Sequence, residues 1–337
     1  MMEDIVKSDI RLLLGNMGRQ SFDRKEVLVT GGAGFLGSWF TDLLIEANAE
    51  VTCLDNLSSG NEDNILHLKK SRRFRFVQKN IAYFKPRKKY DYIIHMASRP
   101  APDDYVKNPV ETMLPNSLGL MHVLEHARRT CARVLYASTS EVYGDAEVLP
   151  TPETYWGNVN PIGIRSCYDE SKRFGEAICM AYFREFDVDV RLARIFNSYG
   201  PRIDSKSNYG RVIPKFIVQA IRNEPITVHG DGSQMRSFCY VVDTILGLAK
   251  MLLKDGVEGE VINIGSPDQI SVLSLAELIK KLSGSCSSIV YTSARPDDPK
   301  KRCPDISRAR HFLDWEPKIT LEEGLKKTIM WFRDVVK

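Results

Sequence analysis

The sequence predicts an α/β protein: a doubly wound parallel sheet up to about residue 195, then a smaller mixed α/β region. Three observations carry this. Short apolar runs bounded by turn residues alternate with longer helical stretches up to that point. Gly31, Gly34 and Gly37 join the first of these runs directly to a helix. Past residue 195 the alternation shortens and becomes irregular.

Taken in order, residues 3–15 read as a short amphipathic helix, part of an arm (1–24) that packs on the body or on a second subunit. Residues 25–30 (KEVLVT) are a buried strand, and residues 38–47 a helix. Glycines at 31, 34 and 37 between them permit a tight turn, let backbone approach a pyrophosphate and let helix and strand pack closely. The helix N-terminus then offers free N–H groups and its positive dipole end to phosphate. This predicts a Rossmann-like dinucleotide-binding unit. The next strand, 50–54, ends in Asp55, 18 positions after Gly37 and near the ~20 expected for an acid on the adenosine ribose. A carboxylate there accepts both ribose hydroxyls and repels a 2′-phosphate, so the expected cofactor is NAD and not NADP.

Residues 75–77 form another strand, and Asn80 and Ile81 after it border the adenine. Residues 90–95 (YDYIIH) lead to Met96, Ala97 and Ser98, where small residues suit close approach to a ligand. His95 reads as a packed histidine. Residues 108–129 read as a long helix, interrupted at Pro115. The strand 133–137 delivers residues 138–144 (STSEVYG) to the carboxyl end of the sheet, where ligands bind in such folds. Tyr168 and Lys172 are four apart, one turn apart on one helix face. A phenol with a free pKa near 10 is a poor base, and an adjacent ammonium is expected to lower it. Such a tyrosine can trade a proton with a sugar hydroxyl. The strand 189–195 closes the first half. Helices at 212–222, 241–254, 274–282 and 320–336, with strands at 226–229 and 261–264, make up a substrate cap. The division expected is a dinucleotide domain at 25–195 plus about 236–265, and a substrate domain at 196–235 and 266–337.

Composition bounds the function. Of 337 residues, 47 are basic and 43 acidic, a net charge of +4 that does not suggest nucleic acid. The basic runs at 69–73 and 85–89 read as solvated surface. Seven scattered cysteines without a CxxC read as reduced thiols, with no zinc or other metal site. No apolar run approaches the ~18 residues of a membrane span. The chain start does not read as a signal peptide, and a cytoplasmic location is expected.

Together, the glycine turn, Asp55, STSEVYG, YDESK (168–172) and NSYGPR (197–202) resemble an extended short-chain dehydrogenase/reductase acting on nucleotide sugars. Within it the chain is most similar to the UDP-glucuronate decarboxylases. The residues that carry this are 138–145 (STSEVYGD), 155–163 (YWGNVNPIG), 167–172 (CYDESK), 210–212 (GRV), 232–238 (GSQMRSF) and 297–305 (DDPKKRCPD). The resemblance implies oxidation of the sugar at C4 with NAD, loss of CO2 from the resulting β-keto acid, and reduction back to UDP-xylose. By it, Thr139 bonds the C4 oxygen, Tyr168 takes its proton, and Lys172 holds the nicotinamide ribose. Ser140 and Glu141 face C5 and the carboxylate, and Arg302 lies near the sugar or diphosphate. Phe35, Leu36 and Asn56 join the cofactor set. Tyr105, Asn197, Arg211, Gln234 and Arg236 join the substrate set. Ser140-Glu141 argues against the 4,6-dehydratases, which carry Asp-Glu there. Relatives also have Lys-Thr where this chain has Leu114-Pro115, and Arg99 is expected to replace that lost charge. A homodimer built from the helices at 108–129 and 168–186 is implied. The other readings are a UDP-sugar 4-epimerase or related epimerase/dehydratase and, from another class, a non-catalytic NAD-binding regulatory protein.

Overall fold

The computed structural model describes residues 2–18, 21–204, 211–293 and 301–336. Parts of two expected motifs, Gly210 and residues 297–300, lie outside them. The chain opens with α1 (Met2–Met17), whose Val6, Ile10, Leu13 and Leu14 are buried. That spacing puts them on one stripe of the helix. The arm therefore belongs to the body: Asp9, 1% exposed, accepts from the Tyr240 hydroxyl at 2.7 Å and pairs with Lys327.

The first half runs β1 (Glu26–Thr30), α2 (Phe35–Glu46), β2 (Glu50–Asp55), β3 (Phe74–Gln78) and β4 (Tyr92–His95). It continues through α3 (Pro102–Lys107), α4 (Pro109–Leu114), α5 (Leu120–Thr130), β5 (Arg133–Thr139), α6 (Ser166–Phe186) and β6 (Val190–Ile195). Pro115 interrupts the helix at 108–129 as expected: a π-helical turn, Pro115–Gly119, joins α4 to α5. Proline has no N–H to continue the ladder. The Pro115 carbonyl is instead 3.0 Å from His95 Nε2, while Nδ1 meets the Thr30 hydroxyl at 2.9 Å. His95 is fully buried, as a packing histidine.

The second half runs β7 (Ser198–Tyr199), α7 (Val212–Ile221), β8 (Ile226–His229), β9 (Met235–Ser237), β10 (Cys239–Tyr240) and α8 (Val241–Leu253). Then come β11 (Val261–Ile264), β12 (Gln269–Ser271), α9 (Val272–Ser283), β13 (Ile289–Thr292), β14 (Lys301–Arg302), α10 (Ser307–Leu313) and α11 (Leu321–Val335). The short strands at 235–237, 269–271, 289–292 and 301–302, and the helices α3 and α10, are not apparent in the sequence pattern.

The main sheet has seven parallel strands in the order β3-β2-β1-β4-β5-β6-β11. Its central strands are covered on both faces, so β1 is apolar on both sides: Val27 and Val29 enter one core and Leu28 the other. The chain leaves β1 outward to β2 and β3, then returns to β4 on the opposite side. Ligands in such sheets bind at this reversal, beyond the carboxyl ends of the strands. The cap adds a three-stranded sheet, β12-β9-β14, and a parallel pair, β13-β8.

Candidate active site

A cavity of about 1810 Å³ lies over the carboxyl ends of β1, β4 and β5 and under the cap. Ligand pockets run to ~300–1,000 Å³, so this one has room for two nucleotide-sized groups. Its sheet side is built from backbone. Gly31 has φ +71°, and a Cβ there would meet the Ala97 backbone at 2.8 Å. A Cβ on Gly37 would come within 2.1 Å of the Gly31 carbonyl oxygen. The turn thus brings α2's N-terminus, with Phe35 and Leu36, against the ends of β1 and β4, where Met96, Ala97 and Ser98 line the wall. Asp55 at the end of β2 accepts from the Ala33 and Leu57 N–H groups at 3.0 and 2.8 Å. Burial raises its pKa even so, against the lowering by these backbone bonds. Asn56, Asn80 and Ile81 line the same end, and the Asn80 carboxamide oxygen also accepts from the Ala82 N–H at 2.9 Å. A turn that only glycine fits, a helix N-terminus and an acid at the end of β2 are a donor set that fits a dinucleotide.

The middle of the cavity holds the chemistry. Thr139 ends β5 and caps the 3₁₀ turn Ser140–Tyr143, its Oγ1 accepting from the Glu141 N–H at 3.3 Å. Its side chain also hydrogen-bonds Tyr168. Lys172, one turn along α6, donates to the Ala137 carbonyl at 2.7 Å and lies 5.9 Å from the Tyr168 ring centroid. The expected lowering of the phenol is not what this arrangement produces. Burial raises the Tyr168 pKa, Glu141 and Asp169 add to the rise, and Thr139 and Arg211 oppose it. Burial also pushes the Lys172 ammonium down to about 7, with Glu176 opposing. Tyr105 stacks on Tyr168 with centroids 5.2 Å apart and planes at 5°, and its hydroxyl has no protein partner.

Glu141 is gripped from two sides. Arg302 reaches both its oxygens, one at 2.9 Å, and Arg165 Nη2 donates to Oε2 at 2.6 Å. Burial disfavours the charge, but the two guanidiniums outweigh it and hold this carboxyl well below the usual range. Arg302 gets there by register: β14 pairs with β9, with Arg302 opposite Arg236. Arg236, Gln234, Asn197 and Arg211 all line the cap side, Arg211 with its guanidinium 5.7 Å from the Phe35 ring centroid. Ser140 lines the wall beside Glu141.

Arg99 does not supply a free charge. Its Nη1 donates to both carboxylate oxygens of Asp104 at 2.6 and 2.8 Å, so the expected replacement cation is already matched. The segment with Leu114 presents Glu111 and Pro115 to the cavity instead. Arg165, Asp169 and Asn116 are the site residues that sequence reasoning passed over. Arg165 and Asp169 lie within or beside the quoted motifs. The one available signal was a cation just before a helix start, where acids are favoured. Asn116 donates to Ser98 and Ser171 hydroxyls at 3.0 and 3.2 Å, tying α6 to the cofactor wall.

This fold and site define an extended short-chain dehydrogenase/reductase: residues 27–265 match the NAD dependent epimerase/dehydratase family, and the chain belongs to it. More particularly, it is 46% identical over 314 residues to UDP-glucuronic acid decarboxylase 1 of Xenopus tropicalis, covering 92% of this chain and 73% of that protein. Among solved structures, an epimerase from Methanothermobacter thermautotrophicus superposes with a TM-score of 0.85 at 34% identity, covering 94% and 95% of the two chains. UDP-glucuronic acid 4-epimerase from Bacillus cereus, solved with UDP-glucuronic acid and NAD, superposes with a TM-score of 0.81 at 27% identity, covering 92% and 99%.

Proposed function

We propose that this protein is an NAD-dependent UDP-glucuronate decarboxylase that makes UDP-xylose through a C4-keto sugar. The observation that carries the reading is Glu141, held ionised by Arg302 and Arg165 directly beside the Thr139–Tyr168 pair. The identity to a named decarboxylase over nearly the whole chain supports it. NAD, when bound, supplies the hydride acceptor for C4 and the donor that restores it. The residues proposed to hold it are Gly31, Gly34, Phe35, Leu36, Gly37, Asp55, Asn56, Asn80, Ile81, Met96, Ala97 and Ser98, with Tyr168 and Lys172.

In this reading Tyr168, once its own proton has been lost to solvent, takes the proton of the C4 hydroxyl, and Thr139 fixes the position of that oxygen. Once C4 is a ketone, the C5–carboxylate bond breaks because its electron pair passes to the C4 oxygen. The raised Tyr168 phenol is suited to stand protonated against that oxygen and stabilise the enolate. A proton must then reach C5. Glu141 is too firmly ionised to carry it, and is suited to orient a water that relays one to C5 from solvent. Tyr105, Asn197, Arg211, Gln234 and Arg236 complete the proposed substrate wall.

The test is incubation with UDP-glucuronate, with and without NAD, followed by mass spectrometry. CO2 release with UDP-xylose is expected. Retention of mass with inversion at C4 would replace this reading with the 4-epimerase. NAD binding without turnover of any nucleotide sugar would favour a regulatory protein.

The division into an arm, a dinucleotide domain and a substrate domain stays as read from sequence, with β11 in the main sheet supporting the assignment of 261–264. A homodimer is also part of this proposal. Val110, Met113, Leu118 and Met121 on the 109–130 segment and Phe174 on α6 stand exposed, an apolar face suited to a four-helix interface. A monomer by light scattering at micromolar concentration would remove it. Among the described residues no helix is long and apolar enough to cross a membrane; a cytoplasmic location is proposed on the free cysteines.

A further inference from the structure

We infer that Arg165 reads the carboxylate of the substrate, and that Asp169 behind it takes up a proton from solvent as that charge arrives. The inference rests on the decarboxylase reading and deepens it. C5 is bonded to C4, so a carboxylate on C5 must lie within a few ångströms of the Thr139–Glu141 turn whenever the C4 oxygen meets Thr139 and Tyr168. Apart from Arg211, which faces Tyr168 and the Phe35 ring, the other cations near that turn are committed. Lys172 is bound to the Ala137 carbonyl, and Arg99 to Asp104. Arg302 places both terminal nitrogens on Glu141. Arg165 differs. Only its Nη2 meets Glu141, its Nε lies 3.8 Å from Asp169 Oδ2, and its Nη1 has no partner among the described residues. It lines the cavity and is a quarter exposed. A planar fork with one free edge is suited to receive a carboxylate.

The charge balance supplies the second half. Two guanidiniums, Arg165 and Arg302, face two carboxylates, Glu141 and Asp169. A third carboxylate leaves one negative charge in excess inside a buried cluster, where it is costly. Glu141 is doubly held and cannot protonate easily. Asp169 can: it is 7% exposed, and its Oδ1 has no hydrogen-bond partner. The groups that face it are Arg165, Glu141, Arg302, Glu170, Tyr105, Cys167 and Tyr168. Burial first, then Glu141, already raise it to about 7, against Arg165 and Arg302. Another anion beside Arg165 raises it further, so binding near pH 7.5 draws a proton on to Asp169.

The experiment is calorimetric titration of the NADH-loaded protein, which lacks a hydride acceptor and so binds without turnover, with UDP-glucuronate and with UDP-xylose, which lacks the carboxylate, in buffers of different ionisation enthalpy. R165M is expected to weaken UDP-glucuronate binding by about tenfold or more, as for truncating one partner of a hydrogen-bonded charge pair. UDP-xylose should change by less than about twofold, since it has no charge for Arg165 to meet. R165K should recover part of the loss, which guards against a folding defect in R165M. Proton uptake should accompany UDP-glucuronate but not UDP-xylose, and vanish in D169N. Equal weakening of both ligands in R165M, weakening of neither, or unchanged uptake in D169N would each overturn the inference. Failure of the decarboxylase reading shows separately, as absence of CO2 release by the unaltered protein.

Discussion

The two walls of the cavity recognise their ligands by different means. On the sheet side, recognition is made by backbone: seven consecutive residues, 31–37, supply the turn, the close approach and the helix end. On the substrate side it is made by side chains from separated segments of both halves. Glu141 follows β5, Arg165 precedes α6, and Arg302 arrives on β14 opposite Arg236. A backbone cradle depends on local sterics and tolerates little change. A side-chain cluster depends on charge balance across distant segments, so it can be retuned one residue at a time. The difference teaches where each property resides: cofactor binding in the turn, substrate choice in the cluster.

The sharpest way to separate the walls is to disable the chemistry between them. Y168F removes the only proton-bearing group of its ring, and kcat should fall by about 10²–10⁴-fold. NAD content, read by absorbance after denaturation, should fall far less than kcat, since the other residues of the cofactor wall remain. G37A attacks the sheet side alone. Its Cβ would meet backbone 2.1 Å away, so the turn must open. NAD affinity should fall by an order of magnitude or more, on the order of the ~1–3 kcal/mol that overpacking costs, with a lower melting temperature. If G37A bound NAD normally, the claim that sterics fix this wall would be lost. E141Q attacks the substrate side alone: CO2 release should drop by about 10²-fold while NAD affinity holds. A parallel loss of NAD would show the two walls to be coupled.

K172M probes the seam between them. Burial lowers the Lys172 pKa from its ordinary 10.5 to about 7. Between those values the folded state holds fewer protons than the unfolded one. Lys172 therefore adds a component of stability that rises as pH rises through that window, with its full penalty present below about pH 7. Melting curves of ligand-free protein from pH 6 to 10 should show that slope, and K172M should lack it and melt higher at pH 6. A K172M curve parallel to the unaltered one would rule out a buried ammonium at that position.

Much of the sheet side was legible in the sequence, because its signals are local. Three glycines between a strand and a helix, and Asp55 at the end of the next strand, state their geometry within 25 residues. The kink at Pro115 and the packing of His95 were legible for the same reason. The substrate side was not. Lys301–Arg302 make a two-residue strand with no pattern of their own, and only pairing with Met235–Arg236 gives them a place. Arg165 is invisible until the 3₁₀ turn at Ser140–Tyr143 brings Glu141 to it. Arg99 misled for a related reason: its charge was legible, but its partner Asp104 lies on α3, a helix that the pattern does not announce. The Tyr168 phenol also shifts opposite to the expectation, because a sequence shows the neighbouring Lys172 but not the burial that raises the pKa.

The smallest effect expected is also the one that tests whether the stack between the walls is support or contact. Tyr105 lies flat against Tyr168, 1% exposed, with a hydroxyl that no protein group meets. An unsatisfied buried hydroxyl costs about 1–3 kcal/mol, so Y105F should raise the stability of the ligand-free protein by roughly the lower figure. The ring stays, so Tyr168 keeps its orientation and kcat should move by less than about threefold. If the hydroxyl is there for the substrate, KM for UDP-glucuronate should rise by about 3–10-fold, the worth of one net hydrogen bond. A stabilised Y105F with unchanged KM would leave Tyr105 as a backing plate for Tyr168 and remove it from the substrate wall. A destabilised Y105F would mean that the hydroxyl is already satisfied within the protein, and that the stack is held by more than its rings.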